Sequence, residues 1–538
     1  MALLAFLKKQ LEKCIVLTAT GIQRHTLGTD GRKVLRRDGK QILLIAQDER
    51  VFAIANRCPH EGYPLSEGTL GPGCVLTCNW HNWKFDLENG AALYGRDAVR
   101  TYPTAVRDGE ILVDLSAPPA DAQRERAMHG LEAAIADNDR QRMAREAARL
   151  VRAGFDAKEA IVHALTIRNH RLEDGMTHAH AAAADWLVLA ARAKSLENHL
   201  VAMLEPLSHI AWDTEGAAEF PYSERILPWK ADAFLAAVEA EDEPSAVACV
   251  RGALADGISY PELRPAFAEA ALAHYADFGH CAIYVFKAGQ LIERLGHEVR
   301  EPVLLSLARM LTRATREERL PEFRGYRRAL AEWSNAATDR PRSENFAGQS
   351  VEGVLRQTLA SSGREPRELY DALMGAAAFN LRHFDIAFDS ATTNAIADNV
   401  GWLDFTHALT FANACRHLCS ERPDLWPRAA LQMALFVGRN RKYVSSNGKS
   451  GEWLIQNREG FVCTEQVSLY DHGIVEPIIA CHRLKVLFAL EDELRASPDA
   501  PWADEMCAAV NRYLHTPMKR HHGLRTAMQA LDFIAKEA

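Results

Sequence analysis

The chain has no apolar run near the roughly 20 residues needed to cross a bilayer, so no membrane span is expected. It is poor in cysteine, with 11 in 538 residues, mostly scattered singly, which does not make a disulfide framework. It also lacks a strong charge of either sign. Sixty-three Lys+Arg against 71 Asp+Glu give a formal net charge of −8, which leaves no basic field to hold nucleic acid. The stretch Met1 to Leu7 is briefly apolar, but Lys8 and Lys9 follow it rather than precede it, and no small-residue cleavage site comes next. A signal peptide is therefore not expected. These absences predict a cytoplasmic protein with reduced thiols and no membrane or nucleic-acid partner. What remains is ordinary globular composition, 48% hydrophobic and 25% charged, in a chain too long for one compact core.

Two textures divide the sequence. Residues 15–115 carry short β-rich runs at Ile15 to Thr18, Gln41 to Ala46, Val51 to Ala55, Val99 to Tyr102 and Ile111 to Leu115. Asp30-Gly31, Asp38-Gly39 and Asp108-Gly109 lie between them, dipeptides favoured in tight hairpin turns. From about Arg124 onward the chain is rich in Ala, Leu, Arg and Glu, with apolar residues three and four apart, as in Ala144, Ala147, Ala148, Leu150 and Val151. That is helical periodicity. The expected fold is a multidomain β + α chain: a small antiparallel β domain over 1–117, a linker over 118–126, and a large all-α, histidine-rich domain over 127–538. A β segment is also read near Lys442 to Val462.

One motif is specific. Cys58-Pro59-His60 is followed after 17 residues by Cys78-Asn79-Trp80-His81. Thiolate and imidazole serve zinc and iron–sulfur centres alike, but each loop here supplies one of each, whereas zinc fingers usually pair like with like. In a Rieske centre one iron takes both thiolates and the other both imidazoles. Over roughly residues 14 to 116 the sequence closely resembles the Rieske [2Fe–2S] ferredoxin family, including the run Cys78-x-x-His81-x-x-x-Phe85-Asp86. The resemblance implies a [2Fe–2S] cluster with Cys58 and Cys78 on one iron and His60 and His81 on the other. Respiratory Rieske proteins carry a further cysteine in each loop. Here Tyr63 and Trp83 stand near those places, so the resemblance is to the soluble ferredoxin and oxygenase branch.

A Rieske centre moves one electron and does no bond chemistry, so the helical half is the expected consumer. It holds 18 of the 21 histidines, all but His25, His60 and His81. The two-His-one-carboxylate run of ring-hydroxylating oxygenases is missing, since neither Asp277-Phe278-Gly279-His280 nor Asp404-Phe405-Thr406-His407 is followed by its second His at Val285 or Ala412. His163, His209, His407 and His482 sit in apolar helical surroundings, where an imidazole needs a partner that a shared metal would supply.

Four stretches look like the questin oxidase-like family, helical non-haem iron enzymes that oxidatively open or cleave anthraquinone-type rings. They are a loosely matching His163, Pro206-Leu207-x-His209, Asp404-Phe405-x-His407-x-Leu409-Thr410, and His482-Arg483-Leu484-Lys485. The resemblance implies a mononuclear iron bound by several His, with Lys485 nearby. Lys485 lies one turn from His482, and as a desolvated neutral amine it could take up CO₂ as an anionic carbamate ligand. Glu476 or Glu205 is the alternative carboxylate. A second group, His274, Asp277, His280 and Lys287, would line the substrate cavity or complete the metal site, with His280, Lys287 and Glu476 as catalytic candidates. His170, His178, His180 and His417 read as surface or supporting residues, and His521 and His522 as solvated.

No phosphate loop, G-x-S-x-G elbow, H-E-x-x-H or dinucleotide fingerprint occurs. A separate NAD(P)H-dependent flavin reductase or ferredoxin reductase must then load the cluster. The reading is a Rieske-coupled non-haem iron oxygenase or oxidoreductase that uses O₂ on a small organic substrate, with aromatic or polyketide-like molecules among those expected. The alternative is a non-catalytic electron carrier whose helical half docks partners.

Overall fold

The computed structural model describes residues 16–445 and 451–537. The chain divides into two compact units that meet at Gly130 and Leu131.

The first unit is antiparallel β, as the hairpin dipeptides predict. Its strands are β1 (Leu17–Gln23), β2 (Arg32–Arg37), β3 (Lys40–Gln47), β4 (Arg50–Ala55), β5 (Thr69–Gly71), β6 (Val75–Thr77), β7 (Lys84–Asp86), β8 (Ala92–Tyr94), β9 (Thr101–Tyr102), β10 (Thr104–Arg107) and β11 (Glu110–Asp114), and they form three small sheets in the orders β1-β11-β10, β2-β3-β4-β9 and β5-β6-β7-β8. In the middle one, β3 (Lys40–Gln47) pairs with both β2 (Arg32–Arg37) and β4 (Arg50–Ala55). Its unbroken run Ile42-Leu43-Leu44-Ile45 is fully buried because both faces of the strand are covered. Leu43 and Ile45 pack in one core with Cys58, Cys78, Phe85 and Leu87, while Ile42 and Leu44 pack in a second with Ile111 and Val113. In the third sheet, β5 (Thr69–Gly71) and β6 (Val75–Thr77) are paired, and β6 pairs in turn with β7 (Lys84–Asp86). The two Cys/His loops are the β4–β5 and β6–β7 connections, so one sheet core supports both.

The second unit is helical. The first described α-helix, Ala120–Ala136, spans the division at Gly130 and begins inside the segment read as a linker, just after Pro118 and Pro119. The β segment read near Lys442 to Val462 is not a strand: residues 441–443 form a 3₁₀ turn, Val444 makes a single bridge to Phe384, and Arg458–Ser468 is a helix. Residues 446–450 lie outside the described set. No described helix is long and apolar enough to cross a membrane.

Four helices set the site: α1 (His178–Arg192), α2 (His280–Leu295), α3 (Leu403–Glu421) and α4 (Pro477–Ala496). Each packs on the next and α4 closes on α1. Cross-links between neighbours advance along both chains together, as in Asp185 with Lys287, Phe286 with His417, Asn413 with Asp492, and Arg192 with Glu491. The four helices therefore run in the same direction and gather their N-terminal turns at one end. Sequence accounts for the starts. Thr177 caps α1, exchanging bonds with the first turn in a capping box with His180. Gly279, at φ +78°, opens α2, and Pro477 opens α4. The small residues Ala179 and Ala181 to Ala184, all buried on α1, let its neighbours approach closely.

Candidate metal centres

The two Cys/His loops are copies of one turn. In the first, the Cys58 amide donates to the Tyr63 carbonyl at 2.8 Å and the Gly62 amide to the Cys58 carbonyl at 2.8 Å. In the second, the Cys78 amide donates to the Trp83 carbonyl at 2.7 Å and the Asn82 amide to the Cys78 carbonyl at 2.9 Å. The position four after each cysteine is left-handed, Gly62 at φ +77° and Asn82 at φ +60°, which suits glycine and asparagine. The shared geometry buries both thiols and turns both imidazoles outward, with His60 Nδ1 3.1 Å from His81 Nδ1. Trp83 stacks on His60 with centroids 4.7 Å apart. Exposed Trp80 donates to Glu61 Oε2 at 3.1 Å, and the same carboxylate lies 3.8 Å from His81 Nε2. Burial, with the Cys78 thiol beside it, pushes the Cys58 thiol up to about 11. Such a thiol holds its proton until a metal displaces it. Two buried sulfurs behind two adjacent outward imidazoles fit a mixed-ligand [2Fe–2S] cluster.

The helical site gathers at the common end of α1 to α4. His178 Nε2 is 2.9 Å from His280 Nε2, which is 2.9 Å from His407 Nε2, which is 3.2 Å from His482 Nε2. His178 and His482 close the group with ring centroids 4.8 Å apart. Three of the rings are locked by main-chain carbonyls at Nδ1: Asp277 for His280 at 2.5 Å, Leu403 for His407 at 2.5 Å, and Ile478 for His482 at 2.7 Å. A carbonyl only accepts, so each Nδ1 carries the proton and each neutral ring presents a bare Nε2. The fourth ring has the Tyr284 hydroxyl 3.1 Å from Nδ1.

The bare nitrogens of His280, His407 and His482 face one another at hydrogen-bond distance with no proton between them. Protonation is opposed: burial first, then Lys485 and the neighbouring rings, hold His178, His407 and His482 well below the ordinary imidazole value. The same causes, burial and Lys485, push His280 down to about 3. A cation at the junction resolves the conflict. Two imidazole nitrogens each about 2.0–2.1 Å from one ion and at a right angle stand about 2.9 Å apart, the spacing observed. Ligand nitrogens of His178, His280 and His407 all lie within 4.8 Å of one another, a group that could hold a metal ion, and His482 Nε2 stands beside that of His407.

Lys485 is 1% exposed, and its Nζ makes no hydrogen bond. Burial, aided by the charge of Lys287, lowers its proton affinity against the opposing pull of Cys481 and Asp185. The structure puts the other sequence candidates in different places. His209 is buried beside the tetrad, its Nε2 3.7 Å from Asp213 Oδ1, and burial pushes it down to about 3. His163 is not among the converging rings, because its Nε2 faces Glu132 Oε1 at 3.1 Å on a partly exposed surface. Glu476 caps α4 and pairs with Arg520 at 3.2 Å, and Glu205 is taken by Arg140 and His472. Neither carboxylate is turned to the tetrad. Lys287 donates to Asp185 at 2.6 Å and to Gln290 at 3.1 Å beside a cavity of about 160 Å³ lined also by Arg192, Glu491 and Asp492. His274 lies between Glu239 and Glu318, 2.6 Å from each.

The sequence reading passed over His178 and His180 as surface or supporting residues. His178 is a tetrad member, and His180 is 2% exposed. The available signal for His280 was a repeated quartet, Asp277-Phe278-Gly279-His280 against Asp404-Phe405-Thr406-His407, which ends both times in a tetrad ring.

A family model described as Rieske [2Fe-2S] domain matches residues 22–103. The ferredoxin subunit of 3-phenylpropionate/cinnamic acid dioxygenase from Photorhabdus laumondii subsp. laumondii is 36% identical over 77 residues, covering 14% of this chain and 73% of that protein. The ferredoxin component of the naphthalene 1,2-dioxygenase system from Pseudomonas putida is 30% identical over 81 residues, covering 15% and 77%. The terminal oxygenase component of carbazole 1,9a-dioxygenase from Sphingomonas sp. is 28% identical over 146 residues, covering 23% of this chain but 36% of that one. Among solved structures, the ferredoxin of carbazole 1,9a-dioxygenase from Nocardioides aromaticivorans is 25% identical, covers 19% of this chain and 99% of its own, and has a TM-score of 0.18.

Proposed function

The chain belongs to the Rieske [2Fe–2S] family, and on that premise we propose that its helical unit is an O₂-dependent oxidoreductase served by the N-terminal electron-transfer domain. Cys58, Cys78, His60 and His81 would hold the cluster, and His178, His280, His407 and His482 a mononuclear iron. When bound, the cluster supplies single electrons and the iron supplies O₂ binding and Lewis acidity.

The observation that carries this reading is the set of facing, bare Nε2 atoms. Three main-chain carbonyls fix the tautomers of His280, His407 and His482, and burial keeps the rings neutral, so these lone pairs converge as a donor set that a metal ion would satisfy. Lys485 supplies the anionic ligand as its carbamate: its amine is buried, without a hydrogen bond, and low in proton affinity, the state that reacts with CO₂. Glu476 is the weaker candidate, given its ion pair with Arg520. The Tyr284 hydroxyl steadies His178. Phe278, Phe411 and Phe436 wall the His407 side and exclude water. The buried Lys287–Asp185 pair lies within the same helix ring, two turns below His280 and His178.

The substrate is a small organic molecule, an aromatic ring system being favoured by two independent likenesses. The helical patches resemble the questin oxidase-like family, and the relatives of the Rieske domain are components of phenylpropionate, naphthalene and carbazole dioxygenases. Electrons come from an NAD(P)H-dependent flavin or ferredoxin reductase. The test is oxygen uptake by the full-length protein with NADPH, a flavin reductase and a panel of hydroxylated naphthalenes and anthraquinones. Substrate-dependent uptake that disappears in His407→Ala is expected. A cluster that reduces and reoxidises normally, with no substrate-dependent uptake and no metal beyond the cluster, would make the chain an electron carrier with a docking domain.

A further inference from the structure

His280 reaches the tetrad by a backbone unlike that of the other helical ligands. His407 and His482 are locked by the carbonyl four residues earlier in their own helices, Leu403 and Ile478. His280 opens its helix, has no preceding turn, and uses the carbonyl of Asp277, three residues back, at 2.5 Å. That carbonyl is aimed by three consecutive left-handed residues: Asp277 at φ +46°, Phe278 at φ +51° and Gly279 at φ +78°. A bulky aromatic residue in this region is a genuine outlier that persists only where its surroundings impose it.

The surroundings are specific. The Asp277 amide donates to the Thr315 carbonyl at 2.8 Å, and Ala276 bridges to Arg316. The Phe278 amide donates to Glu317 Oε1 at 3.0 Å, a side-chain acceptor where the other two anchors are main chain. The second oxygen of Glu317 is buried and makes no hydrogen bond. The turn also carries the Phe278 ring against His407, with centroids 5.4 Å apart, under the Arg439 guanidinium at 4.9 Å. Gly279 cannot take a side chain, because a Cβ would come within 2.7 Å of Phe411 and 3.0 Å of Phe436. The left-handed turn is thus clamped between the tetrad and the segment after helix Arg300–Arg313.

We propose that Glu317 is a positioning residue of the helical metal centre: by accepting from the Phe278 amide it holds the turn Asp277–Gly279 left-handed, which aims the Asp277 carbonyl at Nδ1 of His280 and fixes Nε2 of that ring on the shared ion. The inference rests on the tetrad being a metal site. Without the carboxylate the Phe278 amide loses its acceptor, the turn relaxes toward the right-handed region, and His280 is free to rotate. Partners that orient a ligand in this way typically account for 10- to 100-fold of metal affinity.

The experiment uses full-length protein with its cluster retained and the helical metal removed by chelation. Co²⁺ is titrated anaerobically against a competing chelator, with the ligand-field spectrum recorded. Glu317→Ala is expected to bind about 10- to 100-fold more weakly with an altered spectrum. Glu317→Gln keeps an oxygen acceptor and should restore both to near the native values. A second pair tests the conformation itself: Phe278→Gly accepts positive φ and should bind more tightly than Phe278→Val, whose β-branched side chain excludes it. Native affinity and spectrum in Glu317→Ala, or equal affinity in the two Phe278 variants, would overturn the proposal. If Glu317→Ala does not fold, the Phe278 pair decides. If the native chain itself binds no Co²⁺ at the tetrad, the metal reading fails and this inference falls with it.

Discussion

The two candidate centres of this chain are built on opposite plans. In the β unit, each loop brings a cysteine and a histidine within four residues, and the same turn is used twice, so 24 consecutive positions (58 to 81) contain every ligand. The imidazoles end at the surface, His81 with 39% of its side chain exposed. In the helical unit, one ring comes from each of four helices spread from His178 to His482, and His407 and His482 are 5% and 1% exposed. The first plan is specified by local turns and needs little of the fold. The second exists only once four helices have packed in parallel, and it draws its electrostatics from burial. A local centre is thus robust to distant changes, whereas a convergent one inherits every tilt of its helices.

The largest effect expected is a double dissociation of the two centres. His482→Ala should release the helical metal and leave the Rieske electron-resonance spectrum intact. Cys58→Ser should abolish that spectrum and leave the helical ion in place. Loss of both signals in either variant would break the contrast, because it would make the centres interdependent.

Acid sharpens the comparison next. The tetrad rings and His209 are held low, and burial pushes His180 down to about 4, while unfolded histidine takes its proton near 6.5. With folded values depressed, the unfolded chain binds more protons below that pH. Stability of the metal-free helical unit is therefore full above about pH 6.5 and falls as pH drops from there toward 4, by about 1.4 kcal/mol per pH unit for each histidine involved. Urea unfolding followed by circular dichroism between pH 7 and 5 should show a steep fall in midpoint. A flat profile would mean that the rings titrate normally.

Lys485→Met should weaken the helical metal by about tenfold or more, the range set by other losses around a metal site, with partial recovery in added acetate or propionate. An affinity equal to the native one would remove the lysine from the centre. The smallest effect belongs to His163→Ala. A partly exposed pair with Glu132 is worth well under about 1 kcal/mol, so thermal unfolding and metal content should both stay close to native. Metal loss there would restore the sequence reading that placed His163 in the site.

The legibility of the two centres follows from the same difference. Cys58, His60, Cys78 and His81 were readable because spacing within a loop is sequence information, and the hairpin dipeptides gave the β unit around them. The helical class was readable from periodicity, and apolar neighbours singled out His407 and His482. His178 was missed because a cap position after Thr177 looks solvent-facing until another helix covers it. His280 was read as lining a substrate cavity or completing the metal site, with no choice between them, because its approach depends on a left-handed turn that Asp277 and Phe278 do not advertise. His163 had the apolar neighbours without the convergence, since only packing tells one helix face from another. The start of the helix at Ala120 was hidden by Pro118 and Pro119, which mark a boundary but fit equally well just before a first helical turn.

The most direct test of the central claim is metal stoichiometry on the full-length protein, native and His407→Ala, with the Rieske electron-resonance signal recorded on the same samples. The expected result is two cluster irons plus one further tightly bound ion per chain in the native protein, and the two cluster irons alone, with an unchanged signal, in the variant. Two irons per chain in both would contradict the account, leaving the four imidazoles as a neutral packing arrangement and the helical unit without a metal centre.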